Sequence, residues 1–378
     1  MRDQSLLSHI TRYRLSASYS CVILILLLIN STQGSDEEAM KATRINELQL
    51  IGSHNSYKQS IRSGLMTVLQ WLEPEIAEGL DYNHAALEEQ LALGLRVFEL
   101  DLFHDPEGGR YATPIGRWFD PLQGTSTEAS TLLNSPGLKV QHVQDIDFRS
   151  HCVTLKVCLS IFKSFSQVQP NHLPIFISLN LKTDPIQLSG AAVPLPFDVD
   201  AFHSLHSDIV TTLGEERVIT PSEVQGSNIS LRAKVTTDGW PPLDQLRGRF
   251  LFLVDEKLEK TALYLKAFGE QERLLFLNLP PEHDQAAILI MNHPDRAFDA
   301  IQDLVHEGYL VRTRADADTR EARTEDAGRM QLAFDSGAQF ISTDYYQPDP
   351  RFGGRYQVVF PDGRYVRENP VYTSKRLP

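Results

Sequence analysis

Apolar residues recur along the chain in short runs, and most of these runs end in a knot of polar side chains. Eight runs predict strands: 48–51, 97–102, 138–142, 175–181, 250–254, 287–291, 309–313 and 340–343. A ninth, 274–277, competes with 287–291 for the sixth place. Helical spacing fills several of the gaps. Leu87, Leu91 and Leu95 mark one helix that stops at Gly94; the stretches 297–307 and 319–336 run up to Gly308 and Gly337. A glycine that ends a helix just before the next strand is the usual helix-to-strand connection. Strand and helix alternating in this way predict an α/β fold, a (βα)8 TIM barrel with parallel strands.

Stretches 105–137 and 183–248 are rich in Pro, Gly, Ser and Thr and are expected as extended loops over one end of the barrel. The polar and aromatic tail from Gly353 to Pro378 is expected to run over the surface. No internal repeat or linker divides the chain, so 35–378 reads as a single catalytic domain with a C-terminal extension.

The N-terminus adds a second kind of information. Arg2, Arg12 and Arg14 precede an apolar run from Cys21 to Ile29, and small polar residues follow up to Gly34. This is the layout of a secretory signal peptide over 1–34, with an apolar run too short for an ordinary membrane span. An uncleaved N-terminal membrane anchor is the alternative. The expected location is therefore secreted or periplasmic. Cysteine usage agrees: outside this segment only Cys152 and Cys158 remain, and an oxidising compartment favours a disulfide between them. Two buried thiols are the other reading. Asn228-Ile229-Ser230 fits a glycosylation acceptor.

Of the 378 residues, 42% are hydrophobic, enough for one large barrel core, and the net charge is −13. That charge argues against nucleic acid as a partner and against simple electrostatic docking on anionic lipid. Two isolated cysteines without clustered histidines do not suggest zinc.

In a βα barrel the chemistry sits at the C-terminal ends of the strands. The first run ends in His54 and Asn55; the second delivers Glu99 and Asp101, with His104 and Asp105 beyond. Glu99 and Asp101 are two apart on a strand and so share a face, and such a pair needs a cation or a proton to offset its field. The third run ends in His142, the fourth in Asn180 and Lys182, the fifth in Asp255 and Lys257. The seventh runs into Arg312, Arg314 and Asp316, and the eighth into Thr343, Asp344, Tyr345 and Tyr346. Two histidines flanking two carboxylates suit a phosphodiester: one imidazole deprotonates a hydroxyl nucleophile, the other protonates the leaving oxygen. Asn55, Glu99, Asp101 and Asn180 offer oxygen ligands to a hard cation, and Lys182 or Arg314 suits phosphate. Asp105, Asp255, Lys257, Asp316 and Asp344 read as structural. Trp71 and Trp118 could dip into a membrane or pack beneath loops.

The combination of Gly52-Ser53-His54-Asn55-Ser56-Tyr57, Phe98-Glu99-Leu100-Asp101 and Val140-Gln141-His142 resembles the phosphatidylinositol-specific phospholipase C-like phosphodiesterases, most of all their calcium-dependent branch. The stretches from Tyr309 to Thr319 and from Ser342 to Tyr346 are similar to that branch as well, so the resemblance spans roughly 45–350. It implies a TIM barrel of the phospholipase C type that cleaves phosphatidylinositol to diacylglycerol and a cyclic inositol phosphate. It further implies His54 and His142 as catalytic residues, and Ca2+ held by Asn55, Glu99, Asp101 and Asn180. Lys182, Arg314 and Tyr345 would contact the phosphate or the inositol ring. Asn180 stands where the family carries a further acid, which implies weaker calcium binding. A glycerophosphodiester phosphodiesterase is the nearest alternative, but such enzymes carry His-Arg where this chain has His54-Asn55. A non-catalytic ligand-binding barrel is the alternative of another class. The expected partners are a phospholipid or phosphodiester substrate and, peripherally, a membrane, with no nucleic acid.

Overall fold

A computed structural model describes residues 43–119, 126–256 and 258–373. The signal segment, Cys21 and Lys257 lie outside the described residues. Eight strands form the barrel: β1 (Leu48–Ser53), β2 (Val97–Phe103), β4 (Ile175–Leu181), β5 (Phe250–Val254), β6 (Phe276–Leu277), β7 (Ile288–Ile290), β8 (Leu310–Arg314) and β9 (Phe340–Thr343). They are hydrogen-bonded in the order β6-β5-β4-β2-β1-β9-β8-β7, every pair parallel. The seam between β6 and β7 is bridged by a side chain, the Ile290 amide donating to Asn278 Oδ1 at 3.1 Å. The result is the nearly closed (βα)8 barrel that the alternation predicts.

The interior is filled by side chains, as a barrel of this size requires. Phe176 on β4 and Phe340 on β9, strands that are not neighbours, stack across the lumen at 4.1 Å. The approach of β1 to β2 depends on Gly52, where a Cβ would fall 1.8 Å from the Val97 carbonyl oxygen.

Several expectations are corrected. The run 138–142 is no stave of the barrel. Its strand, β3 (Lys139–Val140), turns back antiparallel on the end of β2, with Leu102 opposite Val140. A parallel neighbour needs a crossover that carries the chain back to the start of β2; here the connection, although it holds the helix Thr127–Asn134, ends at the same end of β2 that the chain left. Both sixth-place candidates are therefore staves. The helix expected over 319–336 is two, Arg320–Thr324 and Gly328–Asp335. Between them Glu325 adopts a left-handed φ of 53°, and Asp326 Oδ1 accepts from the Gly328 amide at 2.8 Å. The stretch 183–248 carries the helix Val199–Leu213, capped by Asp198 and buried through Phe202, Leu205 and Ile209. Likewise 105–137 carries the helix Thr127–Asn134, capped by Ser126.

Cys152 and Cys158 are disulfide-bonded, tying the chain just after the His142 loop to the first turns of the helix Leu155–Val168. The tail folds back as β10 (Val366–Glu368), antiparallel to β1, and buries Val358 and Phe360. Among the described residues no helix is long and apolar enough to cross a membrane.

Candidate active site

The turn after β1 is locked onto β2. Ser56 donates its amide to the Glu99 carbonyl (3.1 Å) and receives the Glu99 amide on Oγ (2.9 Å). Asn55 takes a left-handed φ of 47°, a conformation asparagine tolerates better than most residues. Its amide nitrogen donates to Tyr82 Oη at 2.7 Å, which leaves Oδ1 turned toward the Tyr57 hydroxyl at 3.5 Å. This geometry sets His54 at the barrel mouth.

His54 Nδ1 lies 2.9 Å from Asp344 Oδ1, and Arg314 Nη1 lies 3.4 Å from Nε2. A carboxylate can only accept and a guanidinium can only donate. Nδ1 therefore carries the proton and Nε2 keeps its lone pair, with Glu99 Oε1 3.7 Å from Nε2. Burial first, and then the charge of Arg314, holds His54 well below the usual imidazole pKa, against the opposing pull of Glu99. The ring is thus neutral near neutral pH, the state a general base needs.

His142 is arranged in the same way. Its Nδ1 lies 2.8 Å from Asp147 Oδ2 in the loop beyond β3. Lys58, fully buried and donating to the Leu80 and Tyr82 carbonyls, approaches the same Asp147 oxygen at 3.3 Å. The two imidazoles stand at the same end of the barrel, His54 just after β1 and His142 just after β3, which pairs with the end of β2, and His142 is among the groups that act on His54.

Between them lie the carboxylates. Glu99 is buried and paired with Arg312, which also donates to Asn292 Oδ1 and Ser342 Oγ. Asp101 is buried too. Lys182 Nζ stands 2.8 Å from its Oδ2, yet neither carboxylate oxygen receives a hydrogen bond of ordinary geometry. Burial works against the Lys182 ammonium, but Asp101, Glu99 and Glu256 outweigh it and hold its pKa above the ordinary value. Asn180 is the register partner of Asp101 on β4. Asp255, at the end of β5, is pushed up to about 6 by burial and by its neighbours Glu99, Glu256 and Asp101, with Arg312 opposing.

This donor set fits a hard cation. Among the described residues no three His, Cys, Asp or Glu side chains form a metal-holding group. Calcium, however, accepts amide oxygens and waters beside carboxylates. Asp101 supplies two buried oxygens lacking hydrogen bonds, Glu99 a second carboxylate, and Asn55 and Asn180 neutral oxygens.

Of the residues singled out in the sequence, His54, Asn55, Glu99, Asp101, His142, Lys182 and Arg314 come together. Tyr345 does not join them: its ring is buried against Phe352 and Tyr356. His104 packs against Phe197, and Asp105 faces buried Lys139. Asp344, read as structural, stands inside the site on His54, while Asp316 supports it from behind. Asp316 accepts from the Asp344 amide (2.8 Å) and from the Thr343 hydroxyl, and burial together with the Asp344 charge pushes it up to about 7. Sequence reasoning misses Asp147, Lys58 and Tyr82, and gives Arg312 no role. Asp147 offers one signal, an acid five residues after His142 in a short loop.

Two aromatic residues stand outside the pocket on its rim. The helix Ser63–Leu72 buries Leu65, Met66 and Leu69 toward Ile146 and Phe148 of the His142 loop. The turn Ile115–Phe119 donates its Ile115 and Gly116 amides to Asp145 of that loop. Each element holds a tryptophan out to solvent: Trp71 and Trp118 are both 82% exposed, with Leu72, Ile76 and Phe119 exposed beside them.

Comparison with known proteins gives one family. The sequence model of "Phosphoinositide phospholipase C, Ca2+-dependent" matches residues 43–370. Among solved structures, a calcium-dependent phosphoinositol-specific phospholipase C from a Gram-negative Pseudomonas species is similar at 16% identity and a TM-score of 0.51, covering 86% of this chain and 95% of its own. Its myoinositol complex aligns equally well. A Ca2+-dependent phosphatidylinositol-specific phospholipase C from Streptomyces antibioticus is similar at 17% identity and a TM-score of 0.50, covering 83% and 97%. At these identities the structural likeness speaks for the fold. No curated protein sequence matches the chain.

Proposed function

Since the chain belongs to the calcium-dependent phosphoinositide phospholipase C family, we propose that it cleaves phosphatidylinositol to diacylglycerol and a cyclic inositol phosphate by paired-histidine catalysis. One observation carries this reading: two imidazoles, each with Nδ1 on a buried carboxylate, stand at the barrel end that carries Glu99 and Asp101.

His54 Nε2 takes the proton from the inositol 2-hydroxyl as that oxygen attacks phosphorus. The bond from phosphorus to the glycerol oxygen breaks, and His142 returns a proton to the departing oxygen. Asp344 and Asp147 fix the two rings and offset the positive charge each carries while protonated. Arg314, beside Nε2, is placed to hold a phosphate oxygen, and Lys182 is the second candidate for that role. Bound calcium, held by Asp101, Glu99, Asn55 and Asn180, would supply positive charge against the phosphorane and the attacking oxygen.

The proposal extends to location and surroundings. The N-terminal segment and the Cys152–Cys158 disulfide support export, with 35–378 as one catalytic unit. The exposed tryptophans beside the His142 loop support a peripheral membrane contact there, as an enzyme drawing its substrate from a bilayer requires.

The test is a cleavage assay on phosphatidylinositol with and without calcium chelation, the product read by phosphorus NMR. A cyclic phosphate signal that disappears on chelation and in His54→Ala is expected. Turnover of glycerophosphocholine in preference to the inositol lipid would overturn the reading.

A further inference from the structure

Four carboxylates, Glu99, Asp101, Asp255 and Glu256, stand near one another here, and two cations already sit among them: Arg312 on Glu99 and Lys182 on Asp101. A neutral amide, Asn180, is opposite Asp101 in the ladder. A cation entering beside Asp101 therefore meets an ammonium already in contact with the same oxygen.

The two cations differ in freedom. Arg312 is fully buried and pinned by Glu99, Asn292 and Ser342. Lys182 has a fixed backbone, its amide donating to the Leu102 carbonyl at 2.9 Å, and the preceding residue is clamped by Glu256. Its side chain keeps 27% of its surface exposed on four rotatable bonds. Asn180 and Lys182 are two apart on the end of β4, so both lie on the pocket side. Lys182 can leave Asp101 without moving any strand and still point into the pocket.

We propose that Lys182 is a resident counter-ion that competes with calcium for Asp101, and that on release its ammonium takes a phosphate oxygen of the substrate. This rests on Glu99 and Asp101 being the calcium site. Lys182 then links the two ligands: calcium frees the lysine for phosphate, and phosphate holds the lysine away from Asp101. Linkage makes the effect reciprocal, so each ligand tightens the other.

The experiment is calorimetric titration of calcium into the wild type, Lys182→Met and Lys182→Gln, with and without inositol 1-phosphate, alongside melting curves. Without calcium both variants are expected to melt lower than the wild type, because Asp101 is left buried and unpaired, and calcium should restore them. Both are expected to bind calcium roughly fivefold tighter or more, the low end of ordinary coupling. Inositol 1-phosphate should tighten calcium in the wild type and not in the variants. Unchanged or weaker calcium affinity in two folded variants overturns the proposal. If Asp101→Asn binds calcium as well as the wild type, the site assignment itself is what fails, and the competition with it.

Discussion

His54 and Asp344, 290 residues apart, are joined at 2.9 Å because the strands that carry them run side by side in one register. Ser53 of β1 stands opposite Thr343 of β9, and the His54 amide donates to the Thr343 carbonyl at 3.0 Å. The next residue of each strand then leaves the sheet at the same level and on the same side. Two parallel strands in this register place an acid behind an imidazole with no loop required to find it.

Asp344→Asn should therefore disable His54 without unfolding the barrel. An amide can present its NH2 to Nδ1 and so leave the lone pair on the wrong nitrogen. The expected loss in kcat is about a hundredfold or more, in the range assigned to a positioned acid–base group. Steady-state kinetics checks it, with the calcium-induced rise in melting temperature retained as proof that the metal site survives. A variant with near wild-type kcat would dissociate Asp344 from the chemistry.

Arg314, together with burial, should set the pH at which His54 works. Its charge is the second cause, after burial, of the lowered His54 pKa. In the wild type the acid limb of kcat/KM should lie below the ordinary imidazole value, since activity is lost only when Nε2 is protonated. Removing a positive charge beside a base raises its pKa, so Arg314→Gln should move that limb to higher pH. A pH–rate profile of both proteins reads the shift. An acid limb that stays put or moves down would place the base elsewhere.

Asp316 makes a separate prediction about stability. Its folded pKa, about 7, lies above that of an unfolded carboxylate, because burial and Asp344 disfavour the charged form. The folded state thus holds a proton that the unfolded chain releases. This contribution is complete below the unfolded pKa and is lost as pH rises through about 7. Asp316→Asn has no such proton, so the melting temperature of the wild type relative to this variant should fall as pH rises from about 4 to about 7 and level off above. The buried His84 and half-buried His206, lowered to about 4, are common to both proteins and cancel in that difference. Parallel melting curves across the range would show Asp316 to be charged throughout.

How much of this is legible in the sequence follows from how local each signal is. The motif from Gly52 to Tyr57 is contiguous, and its residues act close to where they stand. Gly52 allows the close approach, His54 is the proposed base, Asn55 makes the left-handed turn, and Ser56 clasps β2. The carboxylates Glu99 and Asp101 show themselves by strand alternation alone. Asp344 and Arg312 do not, because their value lies in contacts 290 and 213 residues away that only the register creates. The misread third strand has a similar origin. Run 138–142 is apolar enough for a stave, but whether a strand runs with or against its neighbour is decided by the connection, and this one, its helix Thr127–Asn134 included, stays at the end of β2 instead of crossing back to its start. The helix Val199–Leu213 is hidden by the Pro- and Gly-rich sequence around it, although Phe202, Leu205 and Ile209 carry the spacing.

The rim tryptophans give the last prediction. Trp71 and Trp118 are held outward by elements that bury their other faces against the His142 loop, so their exposure costs the barrel little to change. The neighbouring Glu73, Glu75 and Glu78 are exposed as well. Acids beside the aromatic pair disfavour attraction to anionic headgroups, which leaves insertion of apolar side chains as the force for docking. Trp71→Ala/Trp118→Ala should therefore bind phosphatidylcholine vesicles containing phosphatidylinositol more weakly, and the wild-type binding should change little with added salt. Cleavage of a soluble, short-chain inositol phosphodiester should stay near the wild-type rate, because neither residue touches the pocket. Vesicle sedimentation and the two assays separate the outcomes: a steep salt dependence would assign docking to charge, and equal loss on soluble substrate would assign the tryptophans to the barrel rather than to the bilayer.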